Sequence, residues 1–331
     1  MAYYPYLRGR QYELFALREL LSLNALSPSV VPIVEPVKDN DLLKQVIRQF
    51  VDGGRKIAVV MNPGVGCFAD VDGRLDEKLD IYGEEVLEYD ALGRGSLVIP
   101  TLLPDPVGVD IASRIRKKAE NMGCDFNFMG FISEEERGSV RLLQEINAKY
   151  VASPDTRGME RDLKRNHISS DRITFSDPFN KRKNVEYADG ENVDEFFSDE
   201  HKYYMEDNFI GYGDYSIVGD NYDERGGAPR AVSIHIMYLD GEDALRIHHF
   251  VSEETSDPHE IPSLFVQAAK KIEPWCLEHG WQESLQTYGL KTLIGHAESE
   301  TFPGLPTIKK LSIMHHLELI GKFLDRPEGS V

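Results

Sequence analysis

Val30-Val31-Pro32-Ile33-Val34-Glu35-Pro36 is the stretch on which the fold reading turns. An apolar run this short, closed abruptly by Glu35-Pro36, reads as a buried strand rather than a helix. Upstream, Tyr3 to Leu7 reads as another strand, and Gln11 to Leu23 as a helix with Leu14, Leu17 and Leu21 on one face. Downstream, Asp39 to Gly53 carries Leu42, Val46, Ile47 and Phe50 at helical spacing and stops at Gly53-Gly54. Lys56 to Met61, Ser96 to Leu103, Asp125 to Ile132, Lys149 to Ala152, Ile173 to Ser176 and Tyr215 to Val218 read as further strands, with helices over Asp110 to Met122 and Ser133 to Asn147. Strands alternating with helices imply parallel pairing through right-handed crossovers. About eight such strands suit an α/β fold of the (β/α)8 TIM-barrel type. An open doubly wound sheet is the competing architecture.

The regular rhythm covers residues 1–183. Residues 184–225 are acid-rich and aromatic and read as an insertion outside the barrel core; residues 226–331 hold a β-hairpin and C-terminal helices, all within a single barrel-like domain. Of 331 residues, 37 are Lys or Arg and 56 are Asp or Glu, a net charge of −19. That balance repels phosphates, so nucleic acid is not an expected partner except through a local basic patch, for which Arg157 to Lys183 is the candidate. Three scattered cysteines, an N-terminus without a basic or apolar leader, and no apolar run of membrane length point to the cytoplasm, with no membrane association. Gly64-Val65-Gly66-Cys67-Phe68-Ala69 matches a dinucleotide fingerprint formally. Loop chemistry at Asp70-Val71-Asp72-Gly73 replaces the helix such a site needs, so no nicotinamide or flavin is expected.

Polar residues closing the strands are the first candidates for chemistry, because strand C-termini meet at one mouth of a barrel. Glu35, Asp177 and Asp220 could act as an acid–base pair or hold a divalent metal whose identity the sequence does not give. Arg8 and Lys38 are candidate partners of Glu35, and Asn62 closes the third strand. Asp and Asn also cap helices and shape turns, and for any one position that is the commoner role.

The hairpin is the second candidate. A loop over Asp240 to Asp243 sets His235 opposite His248, so that Ser233, His235, Met237, Arg246, His248 and Phe250 share a polar face able to bind phosphate or carboxylate. Val232, Ile234, Ile236 and Tyr238 with Leu245, Ile247, His249 and Val251 form the core face, which makes His249 a hydrogen-bonded core histidine. A solvated sheet face is the plainer reading of the polar side. Ile308, Leu311, Met314 and Leu317 mark a C-terminal docking helix with polar edges, on which His315 and Glu318 stand three apart.

Tyr4-Pro5-Tyr6-Leu7-Arg8-Gly9-Arg10-Gln11-Tyr12-Glu13, with Ala16-Leu17 and Val31-Pro32-Ile33-Val34-Glu35-Pro36, resembles the phage-type beta protein family and its bacterial relatives. That family's pattern is an early Pro-Leu-Lys-Gly-type strand, a first helix containing Glu, and a Pro-Leu-Ile-Glu second strand. Here Arg8 and Arg10 stand in place of lysines. The match covers about the first 40 residues and is weaker through Gly213-Asp214-Tyr215 and the hairpin. The resemblance implies a barrel-like α/β fold without a settled activity, in a family some of whose members sit in two-gene mobile or defence cassettes. It carries over no catalytic residue. Two functions therefore stand as expectations, and they leave open whether the chain is an enzyme. One is an accessory or effector protein of a prokaryotic or phage defence or mobile-element locus, acting through a protein partner such as a neighbouring gene product. The other is a metal-assisted barrel hydrolase or phosphodiesterase with a carboxylate-lined mouth.

Overall fold

The computed structural model describes residues 2–38, 41–68, 97–123, 127–223, 229–280 and 286–326. The chain divides into two compact units, of which these residues are described: Met1–Leu14, Pro28–Ser176 and Tyr203–Asp214 bound the first, and Phe15–Ser27, Asp177–Lys202 and Tyr215–Val331 the second.

The first unit holds a closed parallel barrel. Its strands are β1 (Tyr3–Leu7), β2 (Ile33–Val34), β3 (Ile57–Val60), β4 (Val98–Leu102), β5 (Met129–Phe131), β6 (Tyr150–Ser153), β7 (Asp171–Ser176) and, after β8 (Asp194–Ser198) of the other unit, β9 (Gly211–Asp214). β9 closes the ring by pairing with β7 and β1. The unit's helices include the start of α1 (Gln11–Ser22, of which Phe15 onward belongs to the second unit), α2 (Asp41–Asp52), α3 (Pro106–Met122), α4 (Leu142–Ile146) and α5 (Arg157–Arg165). Every residue of β1, β3 and β4 is buried, as expected of parallel strands covered on both faces.

Side-chain direction inside the barrel follows from contacts that only its interior allows. Tyr6 on β1 meets Phe131 on β5 at 4.7 Å, and Phe131 meets Phe175 on β7 at 4.8 Å. These strands are not neighbours in the ring, so their rings meet across the axis. Alternation turns Tyr3 the other way, where it stacks on Tyr212 at 4.9 Å and donates to Asp214 Oδ1 at 2.7 Å.

The eighth strand departs from the sequence reading. Tyr215 to Val218, expected as a strand, forms a turn, and Gly211–Asp214 takes the place in the barrel. Two glycines make this a poor strand by propensity. The interior rings explain them. A Cβ on Gly211 would sit 2.6 Å from the Tyr4 ring, and one on Gly213 would sit 2.7 Å from the Phe175 ring. The acidic segment 184–225 is accordingly not outside the core: it supplies β9, and Tyr204, Phe209 and Tyr212 are buried.

The second unit contains an antiparallel sheet in the order β10 (Ser233–Leu239), β11 (Leu245–Val251), β8. Its helices are α6 (Glu200–Tyr203, of which Tyr203 belongs to the barrel unit), α7 (Ile261–Ala269), α8 (Ile272–Glu278), α9 (Tyr288–Glu298) and α10 (Leu305–Leu324). The single helix expected over Ile261 to His279 is divided into α7 and α8. Pro274 lacks an amide proton, and its ring opposes the carbonyl of Lys270, so one helix cannot run through both.

α10 is not a docking helix with polar edges: the whole run from Leu311 to Gly321 is buried. Its polar groups are paired internally. His315 bonds Thr287 Oγ1 at 2.6 Å and the Met237 carbonyl at 2.6 Å, and His316 bonds Ser216 Oγ at 2.7 Å. Glu318 accepts the Tyr288 amide at 2.8 Å and pairs with Lys322 at 2.7 Å. Burial pushes His315 down to about 4 and His316 to about 3, so both are neutral at pH 7. Cys67 and Cys276 are free thiols; Cys124, the acid-rich loop 69–96 and the Asp70–Gly73 stretch lie outside the described residues. Among those described, no helix is long and apolar enough to cross a membrane.

Candidate functional site

At the barrel mouth, Glu35 follows β2 directly and is 1% exposed. Its Oε2 accepts from Tyr6 Oη at 2.9 Å and from Arg8 Nη1, and its Oε1 accepts the Gly64 amide at 2.9 Å. Tyr6 faces the axis, so the carboxylate does as well. Glu13 receives the Arg8 backbone amide at 2.7 Å. Asn62, just past β3, accepts the Leu103 amide at 2.9 Å and donates to the Leu103 carbonyl at 2.9 Å and to Asp105 at 3.1 Å. Asp105 caps α3 through the Gly108 amide at 2.6 Å. These groups tie the loops after β1, β2, β3 and β4 to one another. Lys38 is exposed, and no hydrogen bond or ion pair joins it to Glu35.

Asp177 and Asp220 belong to the second unit. Both are exposed, and Asp177 Oδ2 accepts the Asp220 amide at 2.8 Å, which ties the segment after β7 to the one after β9. The basic run is also divided: Arg157 to Arg172 lies in the first unit and Lys181 to Lys183 in the second.

The hairpin register differs from the expected one by a residue. Leu239 pairs with Leu245, His235 with His249, and Ile236 with His248. The turn explains the shift. Asp240 and Ala244 close a three-residue loop: the Asp240 amide donates to the Ala244 carbonyl at 3.0 Å. Asp240 Oδ1 accepts the Glu242 and Ala244 amides at 2.9 and 3.0 Å, and Asp243 takes the left-handed conformation at φ 59°. A one-residue shift changes which side chains share a face. Arg246 and His248 therefore leave His235 and join Ile234, Ile236, Tyr238 and Phe250, while His249 joins Ser233, His235 and Met237.

The two faces acquire separate carboxylates because consecutive residues of β8 point to opposite sides. On one face, Asp194 bonds His248 Nδ1 at 2.9 Å, Arg246 Nε at 2.9 Å and Tyr238 Oη at 3.0 Å, and Trp275 stacks on the His248 ring at 4.6 Å. Burial opposes the Asp194 charge, but the bonds from His248, Arg246 and Tyr238 hold its carboxyl below the usual range.

On the other face a chain of bonds runs from a carboxylate to an open cavity. Arg182 grips Glu195 with both terminal nitrogens, at 2.6 and 2.9 Å, and Asn180 adds a third bond at 3.1 Å. His249 Nε2 lies 3.3 Å from Glu195 Oε2, His249 Nδ1 lies 2.6 Å from His235 Nδ1, and His235 Nε2 lies 3.3 Å from Ser233 Oγ. Tyr187 packs its ring on both imidazoles, at 4.9 and 4.4 Å. Burial outweighs Glu195 and pushes His249 down to about 4. Burial, then His249 and Lys309, hold His235 well below the usual imidazole range. Glu195 itself is kept ionised: burial acts against the charge, and the Arg182 bonds overcome it.

These states fix the tautomers. An ionised carboxylate only accepts, so neutral His249 carries its proton on Nε2 and has a bare Nδ1. His235 must then donate from Nδ1, which leaves its Nε2 as a lone pair. His235 and Ser233 both line a cavity of about 270 Å3. Phe179, Ile217, Val218 and Ile308 form apolar walls, and Lys181, Arg182 and Lys309 bring three cations; among the described residues no carboxylate lines it. Lys181 donates to the Asn221 carbonyl at 3.2 Å.

The sequence singled out His235 but not this setting. Lys181 and Arg182 were visible in the basic run; Glu195 and Lys309 carried no local signal. Among the described residues, no three His, Cys, Asp or Glu side chains gather closely enough to hold a metal ion. Comparison of the chain with protein-family models and with curated proteins finds no match.

Proposed function

We propose that the second unit binds a small organic anion with an apolar body in the cavity beside His235. The observation that carries this reading is the lining itself: apolar walls, three cations and, among the described residues, no carboxylate, in a chain of net charge −19. Concave sites of mixed apolar lining with a few placed polar groups are the usual form of ligand pockets. Local positive potential in an acidic protein concentrates an anion where the mean field would repel it. The test is thermal-shift and calorimetric titration of the full chain with aromatic carboxylates, short dicarboxylic acid monoesters and monoamides, and nucleoside monophosphates. One class is expected to stabilise the protein, and Lys309→Glu should weaken that binding at least tenfold. No binding by any class, or equal binding by the variant, rejects the reading.

A second reading retains the accessory role through a protein partner. Its support is in the barrel unit, where Tyr203, Met205 and Ile210 are 42, 52 and 40% exposed beside Glu206 and Asp207. Co-purification with a neighbouring gene product that survives Met205→Asp and Ile210→Asp would remove this surface from consideration.

A further inference from the structure

Resting on the cavity reading above, we infer that Ser233, His235, His249 and Glu195 form a nucleophile relay that hydrolyses a small carboxylic ester bearing an anionic group. Each link is a hydrogen bond of the second unit: Ser233 to His235 at 3.3 Å, His235 to His249 at 2.6 Å, His249 to Glu195 at 3.3 Å, and Glu195 to Arg182 at 2.6 and 2.9 Å. A serine hydroxyl is a weak nucleophile until a positioned base takes its proton, and the base needs a third group to fix its tautomer. Here the third group is a second histidine, itself oriented by a carboxylate. Of Ser233, His235, His249 and Glu195, the first two line the cavity, and His249 is 2% exposed.

Geometry and charge define the substrate. The cavity admits a short chain, its walls accept an apolar segment, and Lys181 and Lys309 meet an anionic end or the oxyanion that develops on the reacting carbonyl. In the first half-reaction Ser233 Oγ bonds to the acyl carbon and its proton passes to His235 Nε2. The C–O bond to the alcohol then breaks, and the leaving oxygen takes that proton. In the second half-reaction water gives one proton to His235 Nε2 and its oxygen to the acyl carbon. Ser233 Oγ leaves and recovers the proton. Ester and water become acid and alcohol, with no other reactant. Ser233 and His235 touch the reacting atoms; His249 and Glu195 are positioning residues.

The experiment uses the full chain and two probes. The mono(4-nitrophenyl) ester of glutaric acid reports turnover through nitrophenolate release, and the matching mono(4-nitroanilide) reports binding by calorimetry. Saturable release is expected from the unmodified protein. Ser233→Ala should lose it by about 100-fold or more while keeping its affinity for the anilide. Glu195→Gln lets the side-chain amide donate to His249 and reverses the tautomers, so kcat should fall with KM little changed. A fluorophosphonate should add its mass to the peptide containing Ser233, a readout that needs no variant. Anilide binding without release, release undiminished in Ser233→Ala, or labelling at another residue overturns the relay and leaves the cavity reading standing. Absence of both binding and release overturns both.

Discussion

The barrel mouth and the hydrogen-bond chain behind the hairpin cavity each hold a carboxylate, a guanidinium and a ring with a polar tip, yet they use them in opposite ways. At the mouth, Glu35 is met by three donors, from Tyr6, Arg8 and the Gly64 amide, so its oxygens are occupied in tying loops together. Behind the cavity, Glu195 is equally occupied, but its charge is passed on through His249 to His235, whose Nε2 meets the Ser233 hydroxyl at the cavity lining. A buried ionisable group whose partners are all internal stabilises a fold. One whose chain of bonds ends on a hydroxyl lining a cavity is available to a ligand. Position at the end of a barrel strand does not by itself distinguish the two.

Acid should separate the regions most strongly. His249 and His315 sit near 4 and His316 near 3, against 6.5 for an ordinary imidazole. Depressed histidines leave the unfolded chain binding more protons than the folded one, so stability is lost as pH falls from 6.5 toward 4. Each contributes a slope of about 1.4 kcal/mol per pH unit, and the three together about 4. Hydrogen exchange between pH 7 and 4.5 should show the second unit opening first. Equal acid sensitivity at β1–β3 would break the contrast.

Next in size is Glu35→Ala. It removes the carboxylate from the buried Arg8 guanidinium and should cost about 3–5 kcal/mol in urea unfolding. A loss under about 1 kcal/mol would mean that water replaces the carboxylate and that the mouth is open after all. Smallest is Ser233→Ala, expected to change stability by no more than about 0.5 kcal/mol, because the residue is half-buried and its hydroxyl makes a long bond to His235. A large loss would place Ser233 among the structural groups with Glu35.

Much of the barrel was legible because its signals are local. Short apolar runs such as Ile57–Val60 and the Ile33-Val34-Glu35 strand end state their own conformation. β9 was not legible, since its glycines answer to the rings of Tyr4 and Phe175, which are distant in sequence. β8 was hidden in an acidic stretch whose charges looked solvated. Asp194 and Glu195 are in fact the acceptors for the two hairpin faces. His249 was placed correctly as a bonded, buried histidine, but its bond to His235 depends on a register that the alternation pattern does not contain.

The sequence by itself determined the alternation of strands and helices, and with it parallel pairing, because hydrophobic periodicity is set residue by residue; closure of the sheet through β9 was decided by the tertiary structure. The tertiary structure decided which residues became the site. One residue of register, fixed by the Asp240 side chain and the left-handed Asp243, moved Arg246 and His248 away from His235 and brought His249 to it. A period-2 pattern is satisfied by either register, so only the geometry of the turn could choose between them.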